Sequence, residues 1–387
     1  MFYKEDIQTM ADLGLNSFRF SISWPRVIPA EGTVNPLGID FYNRVIDECL
    51  KHGIEPIITI CHGDMPLWIF EKGGWVSENI ASDFAFFAKV CVENFSDRVR
   101  YFITMNEPQN FAGDFLGILK DQKELPASVP QDVTMGQITR GILLAHGAAV
   151  DSMRAAARQE IQIGMDIMGV FVEPVPGAVD EETAYQMTWS TLAGSYGMAW
   201  WLDPILEGTV CEELKPYITE EDLGRIGRKM DFFGVNAYSM ANYMARPGRK
   251  NPLAYPGMDK SLVGMPVRDK VLYYVVRFAY RRYGLPIMIC ENGFANLDIM
   301  NLDGKVRDPQ REDYMRRVLP WLKRAVEEGA PVIGYLHWSI LDNFEWVLGY
   351  DQRFGLIYVV YRKQERTVKE SAYYYSEVVK SNGEVLS

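Results

Sequence analysis

The chain has 387 residues, a formal net charge of −11 and 48% hydrophobic residues. An acidic chain without a Lys/Arg-rich block lacks the electrostatic footprint of a nucleic-acid-binding protein, and no uninterrupted apolar stretch reaches the roughly 18 residues of a membrane span. The opening Met1-Phe2-Tyr3-Lys4-Glu5-Asp6 has neither the cationic start nor the apolar core of a secretory signal, so a cytoplasmic location is expected.

Apolar strand-like runs alternate with amphipathic helical stretches along the whole chain, the pattern of repeated βα units around a parallel sheet. The strand-like runs are Ser17 to Ser23, Ile54 to His62, Tyr101 to Met105, Ile161 to Met168, Phe232 to Ala237, Ile287 to Cys290 and Ile333 to Trp338. Between them the 3.6-residue periodicity predicts helices over Asp40 to His52, Ile80 to Phe95, Met135 to Arg158, Val267 to Tyr283 and Arg311 to Glu328. Gly14, Gly53, Gly284 and Gly329 follow helical stretches, as helix C-caps do. The expected fold is an α/β barrel of the TIM (β/α)8 type, with residues 1–387 as a single domain and seven of the eight strands recognisable. Nothing before Ser17 reads as the first strand. The segments Gln109 to Pro130 and Met240 to Pro266 are rich in Pro, Gly and polar residues and read as long loops over the catalytic face. The five cysteines are odd in number and scattered, which fits reduced core thiols.

Two of the strand-like runs end in a glutamate: Thr104-Met105-Asn106-Glu107-Pro108 and Ile289-Cys290-Glu291-Asn292-Gly293. A carboxylate just past a buried parallel strand stands on the catalytic rim of such a barrel. Cleavage of a glycosidic bond with retention needs one carboxylate as nucleophile and one carboxylic acid to protonate the leaving oxygen, and Glu291 and Glu107 supply both. Arg19, inside Ser17-Phe18-Arg19-Phe20-Ser21, requires a carboxylate partner; the nucleophile would serve, and an ion pair fixing the barrel wall is the alternative. His62 ends the second run, where a neutral imidazole can bond a sugar hydroxyl. In the segment Tyr335 to Trp346, Trp338, Glu345 and Trp346 combine aromatic faces with a carboxylate, as a sugar cradle does.

These motifs, in order from Phe18-Arg19-Phe20-Ser21-Ile22-Ser23-Trp24-Pro25-Arg26 to Lys369-Glu370-Ser371-Ala372-Tyr373, resemble glycoside hydrolase family 1, the β-glucosidase family. The resemblance implies Glu107 as acid/base and Glu291 as nucleophile, with Arg19, Asn236 and Tyr238 around the nucleophile. It further implies that Asn106 contacts the sugar hydroxyl next to the anomeric carbon, and that His62, Trp338, Glu345 and Trp346 complete the glycone pocket. The implied partner is a small β-glucoside or short oligosaccharide, and no cofactor or metal is expected. The chain departs from the family pattern where a glutamine-bearing first strand is usual, and a local rearrangement or a neighbouring subunit is expected to cover the gap that its loss would leave. Gly63 replaces the usual tryptophan after the histidine, which implies a thinner pocket wall. Glu345 and Trp346 stand where relatives that take 6-phosphorylated sugars carry a serine, lysine and tyrosine cluster, and a carboxylate would repel a phosphate. A weak or inactive sugar-binding relative and a 6-phospho-β-glycosidase are the alternative readings.

Overall fold

The computed structural model describes residues 2–121, 125–130, 132–240 and 257–386. Seven strands form one sheet in chain order: β1 Ser17–Ser21, β2 Glu55–Cys61, β3 Tyr101–Asn106, β4 Gln162–Met168, β5 Phe232–Asn236, β6 Ile287–Asn292 and β7 Val332–His337. The pairings β1–β2, β2–β3, β3–β4 and β6–β7 are parallel. This is the α/β barrel class, and each strand lies within two residues of the run that predicted it at most boundaries. Among the described residues no eighth strand joins this sheet, whose ends are β1 and β7. The segment before β1 is a helix, Tyr3–Asp12. Every residue of β5 and β6 is buried, as are all but the first of β2 and β3, whereas all five of β1 are only partly buried.

The chain divides into two compact units that alternate in sequence. One comprises Ser17–Met168 and Trp189–Gly234. It holds β1 to β4 and the helices Pro36–Lys51, Ile80–Phe95 and Met135–Ala156. The helix starts are encoded locally: Asn35 accepts from the Leu37 N–H with Pro36 at the first helical position, and Thr134 forms a reciprocal capping box with Gln137. Gly141 lets the last of these helices approach the 74–76 turn closely, since a Cβ there would lie 1.8 Å from the Trp75 carbonyl oxygen. Trp24 stacks on Phe87 at 5.2 Å and meets Phe84 edge-on at 5.4 Å, fixing the segment after β1 against the helix after β2.

The other unit comprises Met1–Asn16, Gly169–Thr188 and Val235–Ser387. The two ends of the sequence meet in it: Arg366 pairs with Asp6 at 2.7 Å, and Ser376 of the helix Glu370–Lys380 donates to the Leu13 carbonyl. An antiparallel ribbon, β8 Ile357–Val360 and β9 Glu365–Val368, follows β7 and was not expected from the sequence. The expected loop over Gln109 to Pro130 is corrected at its start, because Pro108–Asp121 is a helix. Phe111, Phe115 and Leu119 recur at helical spacing and are buried, which outweighs Gly113 and Gly117. Of the other expected loop, residues 241–256 lie outside the described residues.

Candidate active site

The predicted site residues fall into two sets, one in each unit. Around β3, Asn106 ends the strand and Glu107 follows it, leading directly into the helix Pro108–Asp121. Asn106 is buried, and Glu107 is half-exposed with φ of 45°, a left-handed conformation that a non-glycine residue adopts only where its surroundings enforce it. The Glu107 N–H donates to the Asp166 carbonyl at 2.8 Å, which helps hold this turn. Asn110, one helical turn on, donates from Nδ2 to Glu107 Oε2 at 2.5 Å.

The Arg19 guanidinium joins β1, β2, β3 and β4. Its Nε donates to Thr59 Oγ1 at 3.0 Å, and its Nη2 donates both to Asn106 Oδ1 and to Asp166 Oδ2, the latter at 2.9 Å. Both charged side chains are almost without solvent. Asp166 went unnoticed in the sequence, where it interrupts an apolar run without any pattern of its own. Asn106 Nδ2 lies 3.0 Å from His62 Nε2. An amide nitrogen can only donate, so Nε2 accepts and the proton of the neutral ring sits on Nδ1. Burial, reinforced by the Arg19 charge, lowers the His62 pKa to about 3, so the ring is neutral throughout the physiological range. Gly63 follows with φ of +89°, which strongly disfavours a side chain there, and the position its Cβ would occupy lies 3.5 Å from Phe111 Cβ. Phe111 stacks on Trp75 at 5.2 Å, so an aromatic layer backs this position despite the missing tryptophan. Burial also pushes the neighbouring Cys61 thiol well above its usual range, which removes it as a nucleophile.

In the other unit Glu291 belongs to β6 and is 5% exposed. The Tyr238 phenol donates to its Oε2 at 2.8 Å. The following residue, Asn292, is fully buried and fastens the surrounding elements, a role its sequence position did not reveal. Its Nδ2 donates to the Ala237 carbonyl at 2.6 Å and to Tyr314 Oη at 2.8 Å, and its Oδ1 accepts from Tyr335 Oη at 2.8 Å. Tyr314 in turn donates to the Tyr238 carbonyl at 3.0 Å, so the residue that bonds Glu291 is itself braced. Asn236 ends β5 and is buried, its carbonyl accepting from the Gly169 N–H at 2.8 Å.

The segment after β7 approaches the end of β6 closely. A Cβ on Gly293 would lie 2.1 Å from the Trp338 carbonyl oxygen, and the Trp338 N–H donates to the Asn292 carbonyl at 2.9 Å. Trp338 Nε1 and Asn343 Nδ2 donate to Glu345 Oε2 at 3.3 and 3.0 Å. Burial raises the Glu345 pKa; the bonds from Asn343 and Trp338 oppose the rise and the Glu291 charge adds to it. Trp346 is 49% exposed with φ of 48°. Beneath this segment lies a buried ionic cluster. Lys369 pairs with Asp342 at 2.7 Å and with Asp298; Arg311 pairs with Asp298 at 2.8 Å and with Asp308; Arg353 pairs with Asp342 at 2.5 Å. Three cations meet three carboxylates with their hydrogen bonds made, the condition under which buried charge is tolerated. The cluster anchors the start of the stretch that bears Glu345 and Trp346.

Among the described residues no group of His, Cys, Asp and Glu has a metal-binding arrangement. No helix among them is long and apolar enough to cross a membrane.

A parallel α/β barrel with a glutamate at the end region of each of two strands, one bonded by a phenol, has the residue types that glycoside cleavage requires. The chain belongs to glycosyl hydrolase family 1, which it matches over residues 2–384. It is 37% identical to β-glucosidase A of Thermotoga maritima over 395 residues, covering 98% of this chain and 86% of that protein. β-Glucosidase A of Acetivibrio thermocellus is 35% identical over 400 residues, with the same shares covered. The structure of the T. maritima β-glucosidase in complex with castanospermine superposes with a TM-score of 0.87 at 35% identity, covering 99% of this chain and 86% of that one.

Proposed function

We propose that this protein is a retaining β-glucosidase in which Glu291 is the nucleophile and Glu107 the acid/base. The observation that carries this reading is the buried carboxylate of Glu291, bonded by Tyr238 at 2.8 Å, in a chain that belongs to glycosyl hydrolase family 1. A nucleophile must be held in line with the anomeric carbon, and the phenol of Tyr238, a residue whose backbone carbonyl Tyr314 holds, does that for one of its oxygens. Glu107 sits at a half-exposed strand end, where a carboxyl can exchange its proton with water between the two steps. In the first step Glu291 attacks the anomeric carbon while Glu107 gives its proton to the leaving oxygen. In the second, Glu107 takes a proton from water as that water displaces Glu291 from the sugar.

In this reading His62, Asn106, Trp338, Glu345 and Trp346 contact the glycone, and Arg19 and Asn236 support the nucleophile. The substrates are terminal β-D-glucosyl residues on aryl or alkyl aglycones or on short oligosaccharides. The carboxylate of Glu345 disfavours a 6-phosphate, since two anions in a half-buried place repel strongly. The chain works as one domain, in the cytoplasm. The test is steady-state hydrolysis of an aryl β-glucoside and of its 6-phospho analogue by the purified protein, beside Glu291→Ala. Turnover of the plain glucoside that is lost in the variant supports the reading. Preference for the phosphorylated substrate, or binding of glucose without turnover of either, overturns it in favour of a phospho-glycosidase or a sugar-binding relative.

A further inference from the structure

Asp166 has no part in the chemistry described so far, yet it is the fully buried charged residue of β4, flanked there by Met165 and Ile167. A buried carboxylate is costly unless it is paired, and this one is paired with Arg19 at 2.9 Å. It is also the register partner of Asn106 across the β3–β4 ladder. The same Arg19 nitrogen that meets Asp166 donates to Asn106 Oδ1, and the far end of that amide meets His62 Nε2 at 3.0 Å.

An asparagine amide has an acceptor end and a donor end of nearly the same shape, and its other partners decide which end meets a ligand. A guanidinium has donors only, so the end facing Arg19 must be the oxygen. The donor end then lies beside His62. Arg19 fixes the amide only if it is itself fixed, and Asp166 and Thr59 hold it from two directions. We infer that Asp166 is a positioning residue which, through Arg19, turns the donor end of Asn106 toward the sugar hydroxyl next to the anomeric carbon. The inference rests on the proposed role of Asn106. Such a bond strengthens as charge shifts in the transition state, so its alignment bears on rate more than on ground-state binding.

The experiment compares an aryl β-glucoside with the aryl 2-deoxy-β-glucoside that lacks this hydroxyl, in the wild type and in Asp166→Asn. The variant is expected to lose about 10- to 100-fold in kcat/KM on the glucoside and less than about threefold on the deoxy substrate, so the ratio between substrates collapses. A merely structural role would lower both in parallel; parallel losses, or an unchanged ratio, overturn the inference. Thermal unfolding establishes whether the variant is folded at the assay temperature. If it is not, Asp166→Glu keeps the charge beside Arg19 while displacing the carboxylate; a fall of at least about threefold in the ratio supports the inference, and an unchanged ratio overturns it. A wild type that turns over neither substrate removes the functional reading itself, which distinguishes that failure from an unchanged ratio.

Discussion

The ends of β3 and β6 carry the same residue type and treat it in opposite ways. Glu291 remains inside its strand, 5% exposed, with a phenol on one oxygen and a fastened asparagine directly after it. Glu107 has just left its strand, half-exposed, in a left-handed turn that opens a helix, with the exposed Asn110 side chain closing on it from that helix. Burial with braced partners suits a group that must be aimed at one carbon. Access to solvent suits a group that must release and regain a proton. In the proposed mechanism the two environments divide the labour between two chemically identical side chains, as happens wherever one fold sets two carboxyls to different tasks.

Removing each carboxyl is the strongest way to break that contrast. Glu291→Ala is expected to lower kcat by at least about a thousandfold on any leaving group, because no covalent intermediate can form. Single-turnover trapping should find no glycosyl-enzyme in it. Glu107→Gln is expected to lose about 10²- to 10⁴-fold on an alkyl glucoside, the ordinary worth of general acid catalysis, and much less on a nitrophenyl glucoside whose leaving group needs no proton. Equal losses on both leaving groups would show that Glu107 is not the acid. Tyr238→Phe comes next. Losing one hydrogen bond to a charged group corresponds to about 1.5–3 kcal/mol, or roughly 10- to 100-fold in kcat/KM. Measured against Asn110→Ala, expected to change the rate by less than about fivefold because that bond is exposed, it tests whether support is concentrated at β6.

These contrasts were only partly legible in the sequence. A glutamate ending a run of buried apolar residues is a local signal, so Glu107, Glu291 and the seven strands could be read within a residue or two at most boundaries. The helix Pro108–Asp121 was also written there, in Phe111, Phe115 and Leu119, but its glycines masked the spacing. The ribbon β8–β9 was hidden because each strand is only four residues long. Asp166 and Asn292 carried no local signal at all. Each matters through partners distant in sequence, Arg19 for one, Tyr314 and Tyr335 for the other, and only the fold brings those together.

The smallest expected effect concerns stability, and it compares the two units through one buried histidine in each. His146 lies in the first, with Nδ1 2.9 Å from Thr104 Oγ1, and His337 lies in the second against the Tyr375 ring at 5.6 Å. Burial lowers both to about 3; for His337 the Arg311 and Lys369 charges push the same way. A histidine whose folded pKa lies below the ordinary 6.5 takes up its proton more readily when unfolded. Its contribution to stability is therefore complete above about pH 6.5 and is lost as the pH falls from there toward 3. Between pH 7 and pH 5 each ring should cost the fold about 2 kcal/mol. His146→Gln and His337→Gln should each flatten the fall of Tm with acid relative to the wild type, whatever they do to Tm at pH 7. If the two units melt as one domain, both variants flatten the same single transition. Two transitions, each responding to a different variant, would show that the units holding Glu107 and Glu291 unfold independently.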